Sequence, residues 1–366
     1  MENRKIRVGI TQGDINGVGY EVILKVFQEG GMLDLCTPII YGSPKIASFH
    51  RKALDLNTNF LTIDQAEDAV DGKVNLVACI EEEVKIDLGK PTKESGQAAL
   101  MALERSIIDY RSGLIDVLVT APINKYTIQS QEFQFPGHTE YIQACVGEGQ
   151  EALMVLMNRT LRVALVTTHL PIRKIADAIT QDAIVQKLRI FNKALKRDLG
   201  IESPRIAVLG LNPHAGDQGL LGEEEQTIIK PALEQAMGEG IFCFGPFAAD
   251  GFFGSRAYEA YDGVLAMYHD QGLAPFKALA MNDGINYTAG LPIVRTSPDH
   301  GTAYDIAGKG LADPTSLREA IYTAIDVYRN RMRYDEAYAH PLRKMYYEKR
   351  DDSDTLKLNA PEEEEA

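Results

Sequence analysis

The chain alternates short runs of β-branched and aliphatic residues with longer segments whose apolar residues recur at helical spacing. Parallel strands are joined by crossover connections, usually helices, so this alternation predicts an α/β protein. Its sheet should be largely parallel and covered by helices on both faces. Strands are predicted at residues 6–10, 38–41, 74–78, 117–120, 162–167 and 205–210. Helices are predicted at residues 20–28, 97–112, 181–197, 223–237 and 315–329.

The length of the chain favours more than one lobe. At 366 residues it exceeds the ~250–300 residues at which a single core stops growing. We expect two α/β/α lobes with an active-site cleft between them. The first lobe is predicted to combine residues 1–130 with 290–345, and the second to span 131–289. Residues 349–366, which include four consecutive glutamates, are expected to form a disordered acidic tail.

The charge and the apolar pattern exclude several classes of partner. A net charge of −14 provides no global basic surface, so we expect neither nucleic acid nor an anionic membrane to bind. Every apolar run is interrupted before the ~18 residues of a membrane span. The four cysteines are far apart, without CxxC spacing, and no signal-peptide pattern follows Met1. These features predict a cytoplasmic protein with free thiols.

Three histidines each follow a predicted strand: His169 follows residues 163–167, His214 follows 206–210, and His269 follows a further predicted strand at 264–267. Neutral imidazole commonly binds divalent transition metals, and three protein ligands with an open position are typical of a catalytic metal site. The alternative for each is a hydrogen-bonded histidine near a strand end. His50 and His340 lie in charged, helical surroundings, where that alternative is favoured.

A second group of residues could bind an anion. His138 and Thr139 follow Gly137, and together they could hold a phosphate ahead of a helix; alternatively, Thr139 simply caps that helix. Lys277 and Arg295 could either add positive charge or be solvated surface residues. Asn286 lies in an apolar strand-like segment and needs partners if it is buried.

The glycine pattern argues against a Rossmann cofactor site. Gly13, Gly17 and Gly19 lack GxGxxG spacing, and the chain has no Walker motif. The alternative is the glycine-rich segment at residues 300–310, where small residues permit close backbone approach to a ligand. That segment could also be an ordinary loop followed by a short capped helix.

Five unusual strings occur in order along the chain: VTAPINK (119–125), GHTE (137–140), LNPHAG (211–216), AMYHDQGL (266–273) and RTSPDHGT (295–302). Taken together and in this order, they resemble the 4-hydroxythreonine-4-phosphate dehydrogenase family. The glycine-rich segment at residues 300–310 is also similar to the adenosine-binding loop of isocitrate and isopropylmalate dehydrogenases. This second resemblance implies a two-lobed, non-Rossmann fold like that of those enzymes.

The family resemblance implies oxidation of 4-(phosphooxy)-threonine with NAD or NADP and one divalent metal ion, zinc, magnesium or cobalt. The β-keto acid product would lose carbon dioxide to give 3-amino-2-oxopropyl phosphate, a step of vitamin B6 (pyridoxal 5'-phosphate) biosynthesis. Two alternatives remain open. One is a dehydrogenase of threonate or erythronate 4-phosphate, and the other is a non-catalytic relative that binds metal or phosphate.

The resemblance also implies roles for individual residues. The three histidines would bind the metal at a site shared across a homodimer interface. The group that removes the substrate proton is left open between Asp250 and Lys277. Substrate contacts are implied for His138, Thr139, Lys277, Asn286 and Arg295, and cofactor contacts for Gly301, Thr302, Asp305 and Gly308.

One segment departs from the family pattern. Residues 12–21 read QGDINGVGYE, without three prolines that are usual there. Each proline would fix its own φ, so a less stiff loop is expected.

Overall fold

The computed structural model describes residues 4–80, 84–131, 133–280 and 282–340. The predicted acidic tail at residues 349–366 lies outside the described residues. So does the part of the predicted first lobe beyond residue 340.

Within the described residues, twelve strands form one sheet, and the predicted α/β class is confirmed. The strand order is β3-β4-β2-β1-β5-β12-β11-β6-β7-β10-β8-β9. The strands are β1 (Ile6–Thr11), β2 (Cys36–Gly42), β3 (Leu61–Ile63), β4 (Asn75–Ala78), β5 (Val117–Thr120), β6 (Leu153–Met157), β7 (Arg162–Leu165), β8 (Ile206–Leu209), β9 (Cys243–Phe247), β10 (Gly263–Ala266), β11 (Ile285–Ala289) and β12 (Val294–Pro298).

The sheet is parallel toward both edges and antiparallel near its centre. The pairs β12–β11, β11–β6 and β6–β7 are antiparallel, whereas the other described pairs are parallel. The prediction of a largely parallel sheet therefore holds, with a central reversal that the strand pattern did not indicate. Strands β7, β10 and β8 are parallel neighbours, so their carboxyl ends lie along the same end of the sheet.

Helices cover the sheet. Four of the five predicted helices match the described bounds to within about four residues, whereas the last one, Thr315–Ala339, runs ten residues beyond its predicted end at 329. The predicted helix at 223–237 consists of a π-helical turn (Glu225–Ile229) that continues into an α-helix. No described helix is long and apolar enough to cross a membrane. The α-helices are α1 (Gly19–Val26), α2 (Met32–Leu35), α3 (Pro44–Ala53), α4 (Lys93–Arg111), α5 (His138–Val146), α6 (Ile175–Ala178), α7 (Gln181–Arg197), α8 (Lys230–Gly238), α9 (Ala249–Gly254), α10 (His269–Leu279) and α11 (Thr315–Ala339).

The strand order separates two halves of the sheet. Strands β1 to β5 and β12 form one half, and β6 to β11 form the other. Helix α5 buries Tyr141 and Ile142 in the same apolar cluster as Leu103 of α4, so residues 138–146 pack with the first half. The predicted lobe boundaries at residues 130/131 and 289/290 stay a prediction.

A buried ionic network joins α11 and the end of α7 to the centre of the sheet. The Arg331 guanidinium donates to Asp198 Oδ1 over 2.7 Å and to the Tyr287 hydroxyl over 3.1 Å. Tyr287 in turn donates to Asp198 Oδ2 over 2.5 Å. Arg331 also donates to the carbonyl oxygens of Leu291 and Pro292. Because both charged side chains are buried, each depends on the other to offset the loss of hydration.

Replacing Arg331 with methionine should lower the free energy of unfolding by about 3–5 kcal/mol, because Asp198 would remain buried without its counter-charge. The measurement is urea denaturation of both proteins. Arg329→Met is a matched control in the same helix. Arg329 is exposed, and its contact with Asp326 is long, at 4.0 Å. That control should change stability by no more than about 0.5 kcal/mol. Equal losses in the two variants would contradict the assigned role of the network.

Candidate active site

The three candidate metal-binding histidines all lie beyond the carboxyl ends of neighbouring parallel strands. His169 follows β7, His214 lies in the turn after β8, and His269 is the first residue of α10, after β10. The ring centroids of His169 and His269 are 5.9 Å apart. Open α/β sheets place their binding side chains just beyond the carboxyl ends of the strands. This strand-end rule explains why the three histidines lie along the same end of the sheet.

His169 has two polar neighbours that the sequence did not single out. Lys125 Nζ lies 3.2 Å from His169 Nε2, and Glu140 Oε1 lies 3.6 Å from His169 Nδ1. The interaction with His169 lowers the pKa of Glu140, against the opposing effect of its partial burial. Lys125 follows β5 just as His169 follows β7, so the same strand-end rule could have identified it.

His214 lines a different cavity, of about 510 Å³, together with Asp250, Tyr268 and Gln271. Both His214 and Asp250 are exposed. In the described part of a single chain, no three His, Cys, Asp or Glu side chains are grouped closely enough to hold a metal ion. One chain by itself therefore presents the three histidines as a neighbouring pair and a separate third ring.

Most of the predicted substrate-binding residues line one small cavity of about 190 Å³ near the centre of the sheet. Two of them come from the antiparallel pair β11 and β12, and the others from the start of α5. The wall includes the predicted residues His138, Thr139, Asn286, Arg295, Gly301 and His169, and also Lys125, Glu140, Ser297 and His300.

Arg295 is the most unusual member of this cavity, because its guanidinium is only 3% exposed. It donates to Thr120 Oγ1 over 2.6 Å and to Thr288 Oγ1 over 3.2 Å. Thr139 Oγ1 and His138 Nδ1 lie 3.5 and 3.4 Å from it. Burial lowers the pKa of Arg295 to about 10, although the Glu140 carboxylate partly offsets this effect. None of its hydrogen bonds in the described structure reaches a carboxylate, so the buried cation can accept an anionic ligand.

His138 and Thr139 provide neutral groups beside this cation. Burial holds the pKa of His138 well below its ordinary value, and the charges of Arg295 and Lys125 act in the same direction. The Nδ1 atom of the neutral ring can therefore accept from Arg295. Helix α5 begins at His138 with Gly137 at the N-cap, so Thr139 does not cap the helix and its hydroxyl faces Arg295 instead.

Asn286 completes the polar wall. Its Oδ1 atom is buried and has no hydrogen-bond partner among the described residues. His300 Nε2, in another residue that lines this cavity, is in the same state. Buried polar atoms normally have partners, so both atoms favour a polar ligand in this cavity.

The depressed pKa of His138 makes stability depend on pH in a defined direction. The unfolded chain, with an ordinary histidine pKa near 6.5, takes up the proton first as the pH falls. This contribution to stability is present above about pH 6.5 and is lost below it, at up to about 1.4 kcal/mol per pH unit. We expect His138→Gln to reduce the fall in Tm between about pH 6.5 and 5. His214→Gln, at an exposed position, is the control, and identical pH profiles for wild type and His138→Gln would contradict the prediction.

Lys277 lies in α10 and is not among the described residues that line the small cavity. Its half-exposed ammonium group is 3.3 Å from Asp299 Oδ1 and 3.1 Å from the Asp299 carbonyl oxygen. Burial raises the pKa of Asp299, while the charge of Lys277 opposes this shift. Asp299 directly precedes His300, which lines the cavity. Lys277 therefore contacts the residue next to the cavity wall and not the wall itself.

The glycine-rich loop packs against the N-terminal loop of residues 12–18. Gly301 and Asp305 are exposed, whereas the Thr302 carbonyl accepts a hydrogen bond of 3.0 Å from the Val18 amide. Gly308 has a φ of +74°, and a Cβ there would lie 2.6 Å from Leu88. Close packing therefore explains the glycine at position 308, while Gly301 and Asp305 remain accessible to a ligand.

Buried polar contacts hold the N-terminal loop that lacks the usual prolines. The Asp14 amide donates to the Pro122 carbonyl over 2.9 Å. Asp14 Oδ2 accepts from Ser95 Oγ over 2.9 Å and from the Tyr304 hydroxyl over 2.7 Å. These hydrogen bonds join the loop to α4 and to the glycine-rich loop. The absence of the three prolines, taken alone, gave no indication of these contacts.

Comparisons with known proteins identify the class to which this fold and site belong. The family model described as "Pyridoxal phosphate biosynthetic protein PdxA" matches residues 34–324. A 4-hydroxythreonine-4-phosphate dehydrogenase of Bacteroides thetaiotaomicron is 65% identical over 364 residues, covering 100% of both chains. The protein is thus an oxidoreductase of the α/β class. More specifically, it belongs to the PdxA family, which confirms the resemblance seen in the sequence.

Two further comparisons bear on the fold and the substrate. The 1.25 Å crystal structure of 4-hydroxythreonine-4-phosphate dehydrogenase from Klebsiella pneumoniae superposes with a TM-score of 0.76 and 32% identity. It covers 89% of this chain and 99% of the other. A protein of Oceanobacillus iheyensis, provisionally named D-threonate 4-phosphate dehydrogenase, is 38% identical over 89% of this chain and 98% of its own length.

Proposed function

We propose that the protein oxidises 4-(phosphooxy)-threonine, with NAD or NADP as hydride acceptor and a divalent metal ion, in the cytoplasm. The product would decarboxylate to 3-amino-2-oxopropyl phosphate for pyridoxal 5'-phosphate biosynthesis. The observation that carries this proposal is the buried Arg295 guanidinium, which lines a small polar cavity. None of the hydrogen bonds of Arg295 in the described structure reaches a carboxylate. The names of the relatives support the same reaction.

The cavity suits the phosphate of such a substrate. Its volume of about 190 Å³ is below the ~300 Å³ at which pockets for larger organic ligands begin. Arg295 can present its planar donors to phosphate oxygens, and Thr139 offers a hydroxyl beside it. Lys125 adds a second positive charge, in a chain whose net charge is −14. The phosphate would fix the orientation of the substrate relative to the nearby histidines.

The chemistry of the three histidines fits a divalent transition metal. Imidazole nitrogen is a good ligand for zinc or cobalt, whereas magnesium prefers oxygen. Geometry within one chain brings only His169 and His269 close together, while His214 lines the neighbouring cavity. The proposal therefore places the metal between two copies, with His169, His214 and His269 as ligands. When bound, the metal would polarise the substrate hydroxyl and stabilise its deprotonated form.

The surface around these histidines supports contact with a second copy. Leu170 and Ile172, next to His169, are exposed, and so are Leu220 and Leu221 in the loop after His214. Large apolar side chains that remain exposed beside a polar site are typical of an interaction surface. A homodimer that covers them would also bring ligands from both chains to one site.

Two groups are candidates for removing the proton of the substrate hydroxyl. Asp250 shares the cavity of His214, and Lys277 is held by Asp299 at the edge of the phosphate cavity. Both lie beside loops that carry a proposed metal ligand, so either can approach a substrate whose phosphate is bound at Arg295. A general base acts only when it is deprotonated, so kcat should fall at low pH. Asp250→Asn and Lys277→Met can be compared by the pH dependence of kcat, since only loss of the base should remove this fall.

The dinucleotide is assigned to the glycine-rich loop, through Gly301, Thr302, Asp305 and Gly308. The exposed Gly301 leaves its backbone open, since no described atom lies within 4 Å of the position that a Cβ would occupy there. This openness allows close approach of a phosphate group or a ribose. Asp305, exposed four residues later, could accept hydrogen bonds from a ribose hydroxyl.

A second candidate function is oxidation of threonate or erythronate 4-phosphate. The match to the Oceanobacillus iheyensis protein favours it, and the phosphate cavity would bind these substrates in the same way. The two readings differ at C2 of the substrate, which bears an amine in one case and a hydroxyl in the other.

The decisive experiment measures NADH and NADPH formation with each of the three phosphates, with and without a chelator. The proposal expects the highest kcat/KM with 4-(phosphooxy)-threonine and loss of activity after metal removal. Preference for a sugar-acid phosphate would select the second candidate. Failure of every phosphate to support reduction, despite bound metal, would instead indicate the non-catalytic relative.

A further inference from the structure

Glu225 is a fully buried carboxylate outside the cavities described above. It is the first residue of the π-helical turn that precedes α8. Its Oε1 atom accepts from the backbone amides of Leu211 and Asn212, each over 2.7 Å. Its Oε2 atom accepts from Asn212 Nδ2 over 2.9 Å. All three donors belong to the segment that connects β8 to His214.

The segment around this carboxylate leaves no room for extra atoms. A Cβ at Gly210 would lie 3.1 Å from Glu225 Oε1, and one at Gly216 would lie 2.5 Å from Oε2. Gly216 also has a φ of +78°, which favours glycine. The chain therefore approaches Glu225 from both sides of His214, and the glycines permit that approach.

The backbone that carries His214 has an uncommon conformation. His214, Ala215, Asp217 and Gln218 have φ values of +52°, +51°, +41° and +59°, and Gly216 lies between them. Non-glycine residues in the left-handed region are strained and persist only where surrounding contacts fix them. The hydrogen bonds of Glu225 directly precede this strained turn and are such contacts.

The other side of the same strand end is linked to His269. Gln271 donates from Nε2 to the Gly210 carbonyl over 2.6 Å, and its Oε1 accepts from the Met267 amide over 2.8 Å. The ends of β8 and β10 are thereby joined through one side chain. With Gly210 fixed in this way, Glu225 determines where the following residues place the His214 ring.

We propose that Glu225 is a positioning residue, which holds the Leu211–Asn212 backbone so that the strained turn presents His214 to the metal. This inference rests on the proposed function, in which His214 is a metal ligand. Glutamine is nearly the same size, but its amide group would put an NH₂ opposite N–H donors and lose at least one hydrogen bond. Release of that bond would let the turn relax and move the ring.

The test uses the full chain and Co²⁺, whose binding is followed by visible absorption. Glu225→Gln should weaken Co²⁺ binding by about tenfold to a hundredfold, the range for residues that orient metal ligands. The ligand-field spectrum of the saturated variant should also change, which loss of stability alone would not cause. Glu223→Gln is the matched control, because Glu223 is exposed two residues earlier, and it should bind Co²⁺ as the wild type does.

A double variant separates positioning from a general structural effect. If Glu225 acts through His214, Glu225→Gln should add nothing to the loss caused by His214→Ala. Should Glu225→Gln not fold, Glu225→Asp replaces it, since it keeps the charge but withdraws the carboxylate by one methylene from the Leu211 and Asn212 amides. The melting temperature in the presence of a chelator reports the stability of each variant.

Two results would overturn the proposal, and they differ in what else they overturn. If His214→Ala weakens Co²⁺ binding but Glu225→Gln and Glu225→Asp do not, the positioning role is wrong and the metal site stands. If His214→Ala itself leaves binding and spectrum unchanged, the metal role of His214 fails together with the positioning role. Additive losses in the double variant would likewise exclude action through His214.

Discussion

Alanine in place of His169, His214 or His269 is expected to reduce turnover below detection while leaving the fold intact. Each ring lies at the exposed edge of the sheet and outside the apolar core, so its removal creates no buried cavity. Loss of one of three ligands weakens and distorts the site that would hold the metal against the deprotonated hydroxyl. The measurement is NADH formation with 4-(phosphooxy)-threonine at saturating metal, with melting temperature as the check on folding. Wild-type activity in any two of these variants would contradict the three-histidine site.

A mixture of two inactive variants tests whether the site is shared. With His269 of each site supplied by the partner chain, His269→Ala and His169→Ala proteins, allowed to exchange subunits in equal amounts, should recover roughly a quarter of wild-type activity. Half of the dimers would be mixed, and each mixed dimer would have one intact site out of two. No recovery after confirmed exchange would favour a site in which His169 and His269 come from the same chain, a possibility that the 5.9 Å separation of their rings makes specific.

The second large effect is expected at Arg295. Arg295→Met removes the only described guanidinium that lines the phosphate cavity. Charge-assisted hydrogen bonds are worth about 1.5–3 kcal/mol each, so kcat/KM for the phosphorylated substrate should fall by about ten- to a hundredfold or more. The penalty for leaving a buried cation unpaired also disappears, so the preference for phosphorylated over unphosphorylated substrate should shrink markedly.

The assay is the ratio of the two kcat/KM values, measured for wild type and variant at saturating metal and cofactor. Arg159→Met serves as the control, because Arg159 is highly exposed and bonded only to Glu319 among the described ion pairs. Its ratio should match that of the wild type. Equal losses on both substrates in Arg295→Met would mean that Arg295 supports the structure or general positioning and does not select phosphate.

Much of the sheet could be predicted, because a parallel α/β architecture alternates short apolar strands with longer helical segments. The predicted strands all occur, and α7 has the predicted bounds. The central reversal could not be read in the same way. Strand β6 (LMVLM) is a short apolar run that periodicity cannot distinguish from helix, and β12 (VRTSP) is mostly polar and ends in proline.

The candidate site shows the same division between local and long-range information. His138 and Thr139 were predicted from a turn before a helix, and Asn286 from a polar residue in an apolar strand. The meeting of Asn286 with Arg295 depends on the pairing of β11 with β12, and that of His138 and Thr139 with Arg295 depends on the packing of α5. No local pattern specifies either. Lys125 stood in one of the family strings, VTAPINK (119–125), but was given no role of its own. The separation of His214 from the other two rings depends on the left-handed turn, which the string NPHAG does not reveal by itself.

The unbroken strand order has a mechanical consequence. Hydrogen-bonded pairs run from β3 at one edge to β9 at the other, and β11 connects the two halves through ladders on both sides. Such a sheet behaves as a twisted plate, because hydrogen-bonded ladders join its two halves across the middle of the described structure. Any closure around a substrate must then be spread as small torsions over many strands, or be confined to the loops at the strand ends. Arg295 and Asn286, on the two central strands, would remain nearly stationary while those loops move.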